Sequence, residues 1–177
     1  MKFLIIAAAF LFSLNAIGQD KGYELKTALA SDVESTESIV TALYEVISGE
    51  AGDKKDWARF KTLWYPGANL TMVTPTGKNT SSQMTMNVDE FKKLSSNHSS
   101  TNSFYEIEEF NQTNQVGHIA QVLSTYVIKT NPKDKEYQLR GVNLFQLYFD
   151  GNRWWIMNCI WENEVSGMKI QKEFLAK

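Results

Sequence analysis

The first regular pattern of apolar residues along the chain predicts an amphipathic helix. From Val33 to Ile47 the large apolar side chains recur at helical spacing and share one face. The sequence S-D-V-E at 31–34 matches a capping box that would begin this helix, and Gly49 would end it. The opposite face is polar, so we expect the helix to lay its apolar stripe on a sheet.

Two shorter helices are predicted further along the chain. The sequence D-K-K-D at 53–56 can cap the second helix, and the large aromatic residues within 57–64 then fall on one face. Tyr-Pro-Gly at 65–67 would end that helix. Asn87 and Glu90 form a capping box for the third. All three helices therefore precede the part of the chain that is richest in strand patterns.

The second half of the chain is predicted to form strands separated by turns. Long strands joined by tight turns make an antiparallel sheet, and helices gathered on the N-terminal side place the chain in the α+β class. A short strand at 69–73 and a turn at 74–77 precede the third helix. Long strands are predicted at 104–112, 116–130, 137–149 and 153–164, and loops at 95–103, 113–115, 131–135 and 150–152.

The last strand is apolar on both faces, which an ordinary half-exposed strand is not. Trp154 and Ile156 alternate with Trp155 and Met157, so neither parity is polar. The helices can cover only one face of a single sheet, and exposing the other would leave a large apolar patch. We expect a homodimer to cover it, or else the C-terminal tail or the N-terminal leader. The side chains assigned to this outer face are Trp155, Met157, Trp161 and Phe145.

The N-terminus predicts export. Lys2 is followed by an apolar run from 3 to 12 and then by small residues, the layout of a signal peptide covering 1–18. A membrane anchor is the alternative, but the run is shorter than the roughly 20 residues that a span requires. The remaining parts are a polar leader at 19–30, one domain at 31–165 and a tail at 166–177. A periplasmic or secreted location follows.

Composition narrows the classes of partner. The formal net charge is −2 and no basic stripe stands out, so binding to nucleic acid or to a membrane surface is not expected after the signal is removed. Cys159 is the only cysteine, so no intrachain disulfide can form and a hydrophobic core must hold the fold. The chain has two histidines, and they are far apart in sequence, so no metal site and no cofactor are expected.

Three segments together resemble a known family. They are G-D-K-K-D-W-A-R-F-K-T-L-W-Y-P-G-A at 52–68, H-I-A-Q-V-L-S-T-Y at 118–126 and R-G-V-N-L-F-Q-L-Y-F-D-G-N-R-W-W-I at 140–156. With the capped helix before them, they are similar to exported bacterial members of the nuclear transport factor 2-like superfamily, of the SnoaL-like type. The C-terminal M-K-I-Q-K-E-F-L-A-K departs from that pattern, because it lacks prolines.

The resemblance implies a cone-shaped, cystatin-like fold. A strongly curved, mixed and mostly antiparallel sheet would wrap around the three helices, with a pocket between them and a dimer contact on the convex face. Relatives often place a polar residue near the middle of the final strand to line that pocket. The candidate pocket residues in this chain are Asn158, Tyr126, Tyr44, Trp64, Glu162, His118 and Arg140.

Each of the polar candidates has two interpretations. Asn158 either binds a ligand or bonds a neighbour within the fold. Glu162 is a base at the pocket mouth or a solvated carboxylate, and His118 is a catalytic group or an exposed residue at a strand end. Arg140 clamps a carboxylate ligand, or pairs with Asp56 or with a glutamate across the sheet. For Tyr44, Trp64 and Tyr126 the alternative to lining a cavity is plain core packing.

These residues do not make a recognisable catalytic constellation. We therefore expect a protein that binds a small hydrophobic or amphipathic molecule. The alternatives are a pocket enzyme of the lyase, isomerase or hydrolase type, using His118, Glu162 or Tyr126, and a protein-interaction module that uses the outer sheet face.

Overall fold

The computed structural model describes residues 27–77, 79–165 and 169–176. The chain contains helices and strands, and most of the helices lie before residue 100. The helices are α1 (Ala30–Val33), α2 (Thr36–Ile47), α3 (Trp57–Thr62) and α4 (Val88–Ser99), and a short 3₁₀ helix spans Lys172–Phe174. The strands are β1 (Trp64–Gly77), β2 (Thr80–Asn87), β3 (Tyr105–Val116), β4 (Ile119–Lys129), β5 (Leu139–Phe149) and β6 (Trp154–Asn163).

The strands form one open six-stranded sheet in the order β2-β1-β6-β5-β4-β3. All neighbours are antiparallel except β1 and β6, which run parallel. Hairpins join β3 to β4, β4 to β5 and β5 to β6. The strands β1 and β6 are parallel, and the chain between them contains α4. The predicted α+β class, with a mixed and mostly antiparallel sheet, is confirmed.

The first predicted helix is broken into two. α1 ends at Val33, and α2 begins after Ser35, whose hydroxyl accepts from the backbone N–H of Ser38 at 3.0 Å. The Ser38 hydroxyl accepts in turn from the Ser35 N–H, also at 3.0 Å. The capping box is therefore at 35–38, and the prediction at 31–34 was wrong. The reciprocal hydrogen bonds between Ser35 and Ser38 begin a new helix there and interrupt a continuous one. The predicted apolar stripe of α2 is nevertheless buried.

Two other helix boundaries differ from the prediction. Asp56, not Asp53, caps α3 by accepting from the Arg59 N–H at 2.8 Å, and the helix is over before Trp64, which begins β1. The capping box of Asn87 and Glu90 is confirmed, with the Glu90 carboxylate accepting from the Asn87 N–H at 2.8 Å. α4 then continues through most of the region predicted as a loop.

The hairpins are longer and tighter than predicted. The β3–β4 turn lies at Gly117, whose φ of 57° suits glycine, and not at 113–115. β2 pairs along its whole length with the part of β1 from Asn69 to Gly77, so the region 74–77 continues a strand and is not a turn. Turn propensity was misleading at both places, and both segments contain threonine, which favours strands and pairs well across them.

A β-bulge in β6 decides which side chains face the helices. Leu147 lies opposite Ile156, but the next β5 residue, Gln146, lies opposite Asn158, so Met157 is an extra residue in the ladder. One inserted residue reverses the alternation of every residue beyond it. Trp154 and Ile156 therefore share the inner face with Cys159, Trp161 and Asn163, and Asn158, Ile160 and Glu162 face outward.

Two of the four residues predicted on the outer face lie on the inner face instead. Trp161 lies on the inner face and packs edge-on against Phe91 of α4, with ring centroids 6.2 Å apart. Phe145 is opposite Cys159 on the inner face and is fully buried. Trp155 does lie outward, where it meets Tyr65, and Met157 occupies the bulge. Both parities of β6 contain apolar residues in the sequence, but the bulge changes the register, so most of these residues lie on one face of the sheet.

The C-terminal segment covers part of the outer face. Thr125 of β4 points outward and is nonetheless fully buried, and its hydroxyl donates to the Phe174 carbonyl at 2.7 Å. The Phe174 ring meets that of Phe110, with centroids 6.3 Å apart. Glu164 anchors the segment by accepting from the Ile170 N–H at 3.0 Å. The tail alternative for covering this face is therefore realised over β3 and β4.

The predicted signal peptide at 1–18 and the leader up to residue 26 lie outside the described residues, so export stays a prediction. Residues 166–168 of the predicted tail are also outside them. Within the described part of the chain, no helix is both long enough and apolar enough to cross a membrane.

Paired single-residue deletions test the register of β6. Deleting Met157 removes the extra residue without changing the facing of its neighbours, so the variant should retain a cooperative unfolding transition. Deleting Ile160 would move Glu162 inward to the place of Trp161, and we expect a loss of several kcal/mol, since it would bury an unpaired carboxylate. Urea unfolding followed by near-ultraviolet circular dichroism measures both. Equal stability of the two variants would contradict the bulged register.

Candidate functional site

A cavity of about 350 Å³ opens between α2, α4 and the inner face of the sheet. It lies next to the densely packed part of the core, where Phe60, Leu63 and Ile156 are fully buried. The wall is formed by Leu43, Ile47, Trp64, Leu70, Met72, Phe91, Leu94, Ser95, His98, Ser99, Phe104, Glu106, Tyr126, Ile128, Asn143, Cys159, Trp161 and Asn163. Most of these side chains are apolar, and the few polar ones include a single carboxylate.

Aromatic rings supply much of the wall. Trp161 from β6 and Phe91 from α4 meet edge to face across the cavity lining. Phe91 also stacks on Phe60 of α3, with ring centroids 5.4 Å apart, which packs α4 against α3. His98 meets Phe104 edge to face at 5.9 Å near the exposed end of α4. Because rings of three different elements hold one another, the wall is preorganised.

Glu106 is the one carboxylate of the cavity wall within the described residues. It lies near the start of β3, where its backbone N–H donates to the Ser48 hydroxyl at 3.0 Å after the end of α2. One of its carboxylate oxygens accepts from the Asn143 amide at 2.8 Å. Although the residue as a whole is partly exposed, burial of its carboxyl group raises the pKa to about 7. Glu106 can therefore change protonation near neutral pH.

Asn143 connects the groups of this wall. Its amide nitrogen donates both to Glu106 and to the Tyr44 hydroxyl, at 2.8 and 3.1 Å, and its amide oxygen faces the Cys159 thiol at 3.6 Å. A buried amide with partners on both ends has a fixed orientation. The amide nitrogen is thus held toward Glu106.

A second set of hydrogen bonds lies behind the wall. The hydroxyls of Tyr44 and Ser124 are 2.6 Å apart, and Ser124 in turn donates to Glu108, on the same side of β3 as Glu106. Burial, and then the nearby Glu106 charge, raise the pKa of Tyr44. The Cys159 thiol pKa is raised by the same two causes in the same order. Both groups therefore stay neutral near pH 7.

Tyr126 spans the sheet side of the cavity. Its hydroxyl donates to the Asn163 amide oxygen at 2.7 Å, and its ring lies directly over Gly141. A Cβ at residue 141 would collide with the Tyr126 ring and hydroxyl, so glycine is needed for this close approach. Burial, with Glu106 as the next cause, raises the Tyr126 pKa, so the hydroxyl remains a donor.

Trp64 has an unsatisfied donor. The residue is 2% exposed and lines the cavity, and its indole N–H has no hydrogen-bond partner in the described part of the chain. Leaving a buried donor unpaired costs about 1 to 3 kcal/mol.

The structure brings only some of the predicted site residues together. Tyr126 and Trp64 line the cavity, and Tyr44 lies directly behind it. Asn158 lies on the outer face, because of the bulge, and its amide donates to the Asn69 carbonyl at 3.3 Å. Glu162 lies on that face too. The prediction that Asn158 and Glu162 belong to the pocket was wrong.

His118 and Arg140 are also outside the cavity wall. His118 is exposed at the β3–β4 turn and stacks on Phe149, with ring centroids 6.0 Å apart. Arg140 pairs with Glu109 at 3.0 Å, so the alternative of a glutamate across the sheet is the one realised. Of the three alternative catalytic residues His118, Glu162 and Tyr126, Tyr126 alone lines the cavity.

The polar wall residues missed from the sequence include Glu106, Asn143, Asn163 and His98. Asn143 gave a signal, since it interrupts an apolar strand pattern. Glu106 gave none, because a glutamate in an edge strand is normally solvated. No cluster of three or more potential metal ligands occurs among the residues that the structure describes.

The comparisons with known proteins rest on structure alone. Neither a family model nor a curated protein matches the sequence. A candidate dehydratase of the nuclear transport factor 2-like family from Streptomyces avermitilis is 17% identical, with a TM-score of 0.54 over 76% of this chain and 96% of that one. A protein of unknown function with a cystatin-like fold from Nostoc punctiforme is 11% identical, with a TM-score of 0.56 over 80% and 97%.

A protein of unknown function from Mycobacterium tuberculosis is similar to the same degree. It is 10% identical, with a TM-score of 0.56 over 77% of this chain and 75% of that one. The chain thus has the fold of the nuclear transport factor 2-like superfamily, as the resemblance predicted. At these identities the shared property is the fold.

The raised pKa of Glu106 predicts a specific pH dependence of stability. Its ordinary value is 4.5, so between about pH 4.5 and 7 the unfolded chain releases this proton while the folded chain keeps it. Stability therefore falls as pH rises through that window, by about 3 kcal/mol in total. Glu106→Gln removes this loss, so the variant should gain that amount relative to wild type between pH 4.5 and 8.

Urea titrations of both proteins at a series of pH values measure the difference. The comparison at the lowest pH reports the effect of the amide itself and serves as the internal control. A difference that stays constant across the pH range would mean that Glu106 is not held in a desolvating environment.

Proposed function

We propose that this protein binds a small, predominantly apolar molecule in the cavity, with the polar end of that molecule toward Glu106. The observation that carries the proposal is the wall itself. It combines a largely apolar lining with a few oriented polar groups, the usual composition of a small-molecule site. Close packing elsewhere in the core makes a cavity of this size costly unless it is used.

The volume limits the size of the ligand. A cavity of roughly 150 Å³ holds benzene. A volume of about 350 Å³ is rather more than twice that, which favours a molecule of two fused or linked rings.

The entrance lies beside α4. Leu94 lines the cavity and is 50% exposed, and His98, one turn further on, is exposed as well. Both lie on the helix face that meets the cavity, whereas Lys93 is exposed and does not line it. A ligand would therefore pass between the last turns of α4 and the start of β3.

A neutral fluorescent probe tests cavity binding. N-phenyl-naphthylamine is apolar, has two ring systems and fluoresces strongly only out of water, so we expect saturable enhancement with the wild-type protein. Leu94→Trp should narrow the entrance and weaken binding at least tenfold, since it fills space that the ligand crosses. Fluorescence titration measures both affinities.

Lys93→Trp is the matched control, because it places the same ring on the same helix outside the wall. It should bind like wild type. Absence of saturable binding to the wild-type protein, or equal affinities of the two tryptophan variants, would count against the cavity as the site.

A homodimer remains our proposal for the uncovered part of the outer face. The C-terminal segment lies over β3 and β4, while Leu144 and Ile160, paired across β5 and β6, keep apolar surface on the outside. Ile160 is 37% exposed. Several such side chains on one face can drive association through apolar burial.

Sedimentation analysis of a charge substitution tests the dimer. The wild-type protein should sediment at twice the monomer mass, and Ile160→Lys should shift it to the monomer, since a lysine there would be buried without a partner. Val116→Lys places the same charge at a residue that is 77% exposed on the β3–β4 hairpin, and it should leave the dimer intact. A monomeric wild-type protein would overturn this proposal.

A further inference from the structure

We propose that the ligand of this cavity is an organic cation, an apolar amine whose ammonium group pairs with the Glu106 carboxylate. This inference rests on the proposed binding function and specifies its ligand class. It follows from the charges, the hydrogen-bonding capacity and the ring faces of the wall.

The charge balance of the wall favours a cation. No lysine or arginine occurs among the described lining residues, so this part of the wall supplies no permanent positive charge to Glu106. The titratable groups around it are His98 from α4, Tyr126 from β4, Cys159 from β6 and Tyr44 behind the wall. Tyr44, Tyr126 and Cys159 stay neutral near pH 7 because burial raises each pKa.

A second carboxylate adds to the negative potential. Glu108 lies two residues along β3 on the same side, joined to the wall through Ser124 and Tyr44. Arg140, the nearest arginine on β5, is on the outer face and is paired with Glu109. An anionic ligand would therefore meet the Glu106 carboxylate, with Glu108 behind the wall and no compensating lysine or arginine among the described lining residues, which disfavours binding of an anion.

The hydrogen-bonding capacity of Glu106 is largely unused. A carboxylate can accept about four hydrogen bonds. Asn143 is the one side-chain donor to it among the described residues. An ammonium group has three donors and no acceptor, so it matches the free capacity of this carboxylate.

The rings of the wall suit the same ligand. The aromatic residues Trp64, Phe91, Phe104, Tyr126 and Trp161 line the same cavity as Glu106. A cation over the face of such a ring is attracted by the ring quadrupole, and this attraction strengthens where water is excluded. The carbon skeleton of the amine would occupy the remaining apolar space.

The pairing has a defined pH dependence. Only the ionised carboxylate attracts the ammonium group, and the carboxyl pKa of about 7 makes that form the minority below neutral pH. The ionised fraction is about 0.9 at pH 8 and about 0.1 at pH 6, so the apparent affinity for an amine should fall roughly tenfold between them. A neutral ligand of the same shape should show no such loss.

A pair of isosteric probes provides the test. Naphthylmethylamine and naphthylmethanol have the same rings and differ in the ammonium or hydroxyl group. Isothermal titration calorimetry with the full protein at pH 8 should give at least tenfold tighter binding of the amine. Glu106→Gln should reduce the amine affinity at least tenfold, while Glu162→Gln, the same change on the outer face, should not.

The possible results separate the two proposals. Equal affinities for amine and alcohol, or tighter binding of the alcohol, would overturn the cation inference and leave cavity binding intact. Binding of neither probe, together with no enhancement of the neutral fluorescent probe, would overturn both. A preference for the amine that does not weaken from pH 8 to 6 would also reject Glu106 as the partner, whatever the folding of its variant.

Discussion

The extra residue in β6 is the constraint on which the interior depends. Because Met157 has no opposite partner, Trp154 and Ile156 on one side of it and Cys159 and Trp161 on the other all face the helices. A regular strand would turn polar side chains inward over the upper half of the sheet. Apolar side chains of β6 thus contribute to two parts of the interior. Trp154 and Ile156, before the bulge, belong to the densely packed core, and Cys159 and Trp161, after it, line the cavity.

The polar wall of the cavity depends on one buried amide. Asn143 bonds Tyr44 and Glu106 at once, and it lies opposite Trp161, which the bulge turns inward. The tyrosine accepts a hydrogen bond from the amide, while Glu106 receives a neutral donor and has no counter-ion among the described residues. The carboxyl group is therefore held in place but left electrostatically uncompensated, which is why its pKa is high and why a cation would stabilise it.

The sequence predicted the kinds of elements well, because capping and periodicity are local. The Asn87 capping box and the buried stripe of α2 needed no knowledge of the fold. The site was predicted poorly, because assigning a face requires the register with neighbouring strands. Met157 carries no mark of a bulge, such as glycine, so an unbroken alternation put Asn158 inside. Glu106 became recognisable only once β3 was placed against α2.

The outer face of the sheet carries apolar side chains, but only some of them are the ones predicted from the sequence. Trp155, Leu144 and Ile160 face outward, whereas Phe145 and Trp161, which were predicted there, face the helices. Over β4 the chain covers its own surface, since the Phe174 carbonyl satisfies Thr125. That cover lies on β3 and β4, so the side chains on β5 and β6 need a different one. The second copy that we propose would provide that cover, because an isologous contact brings the same strip of both chains together.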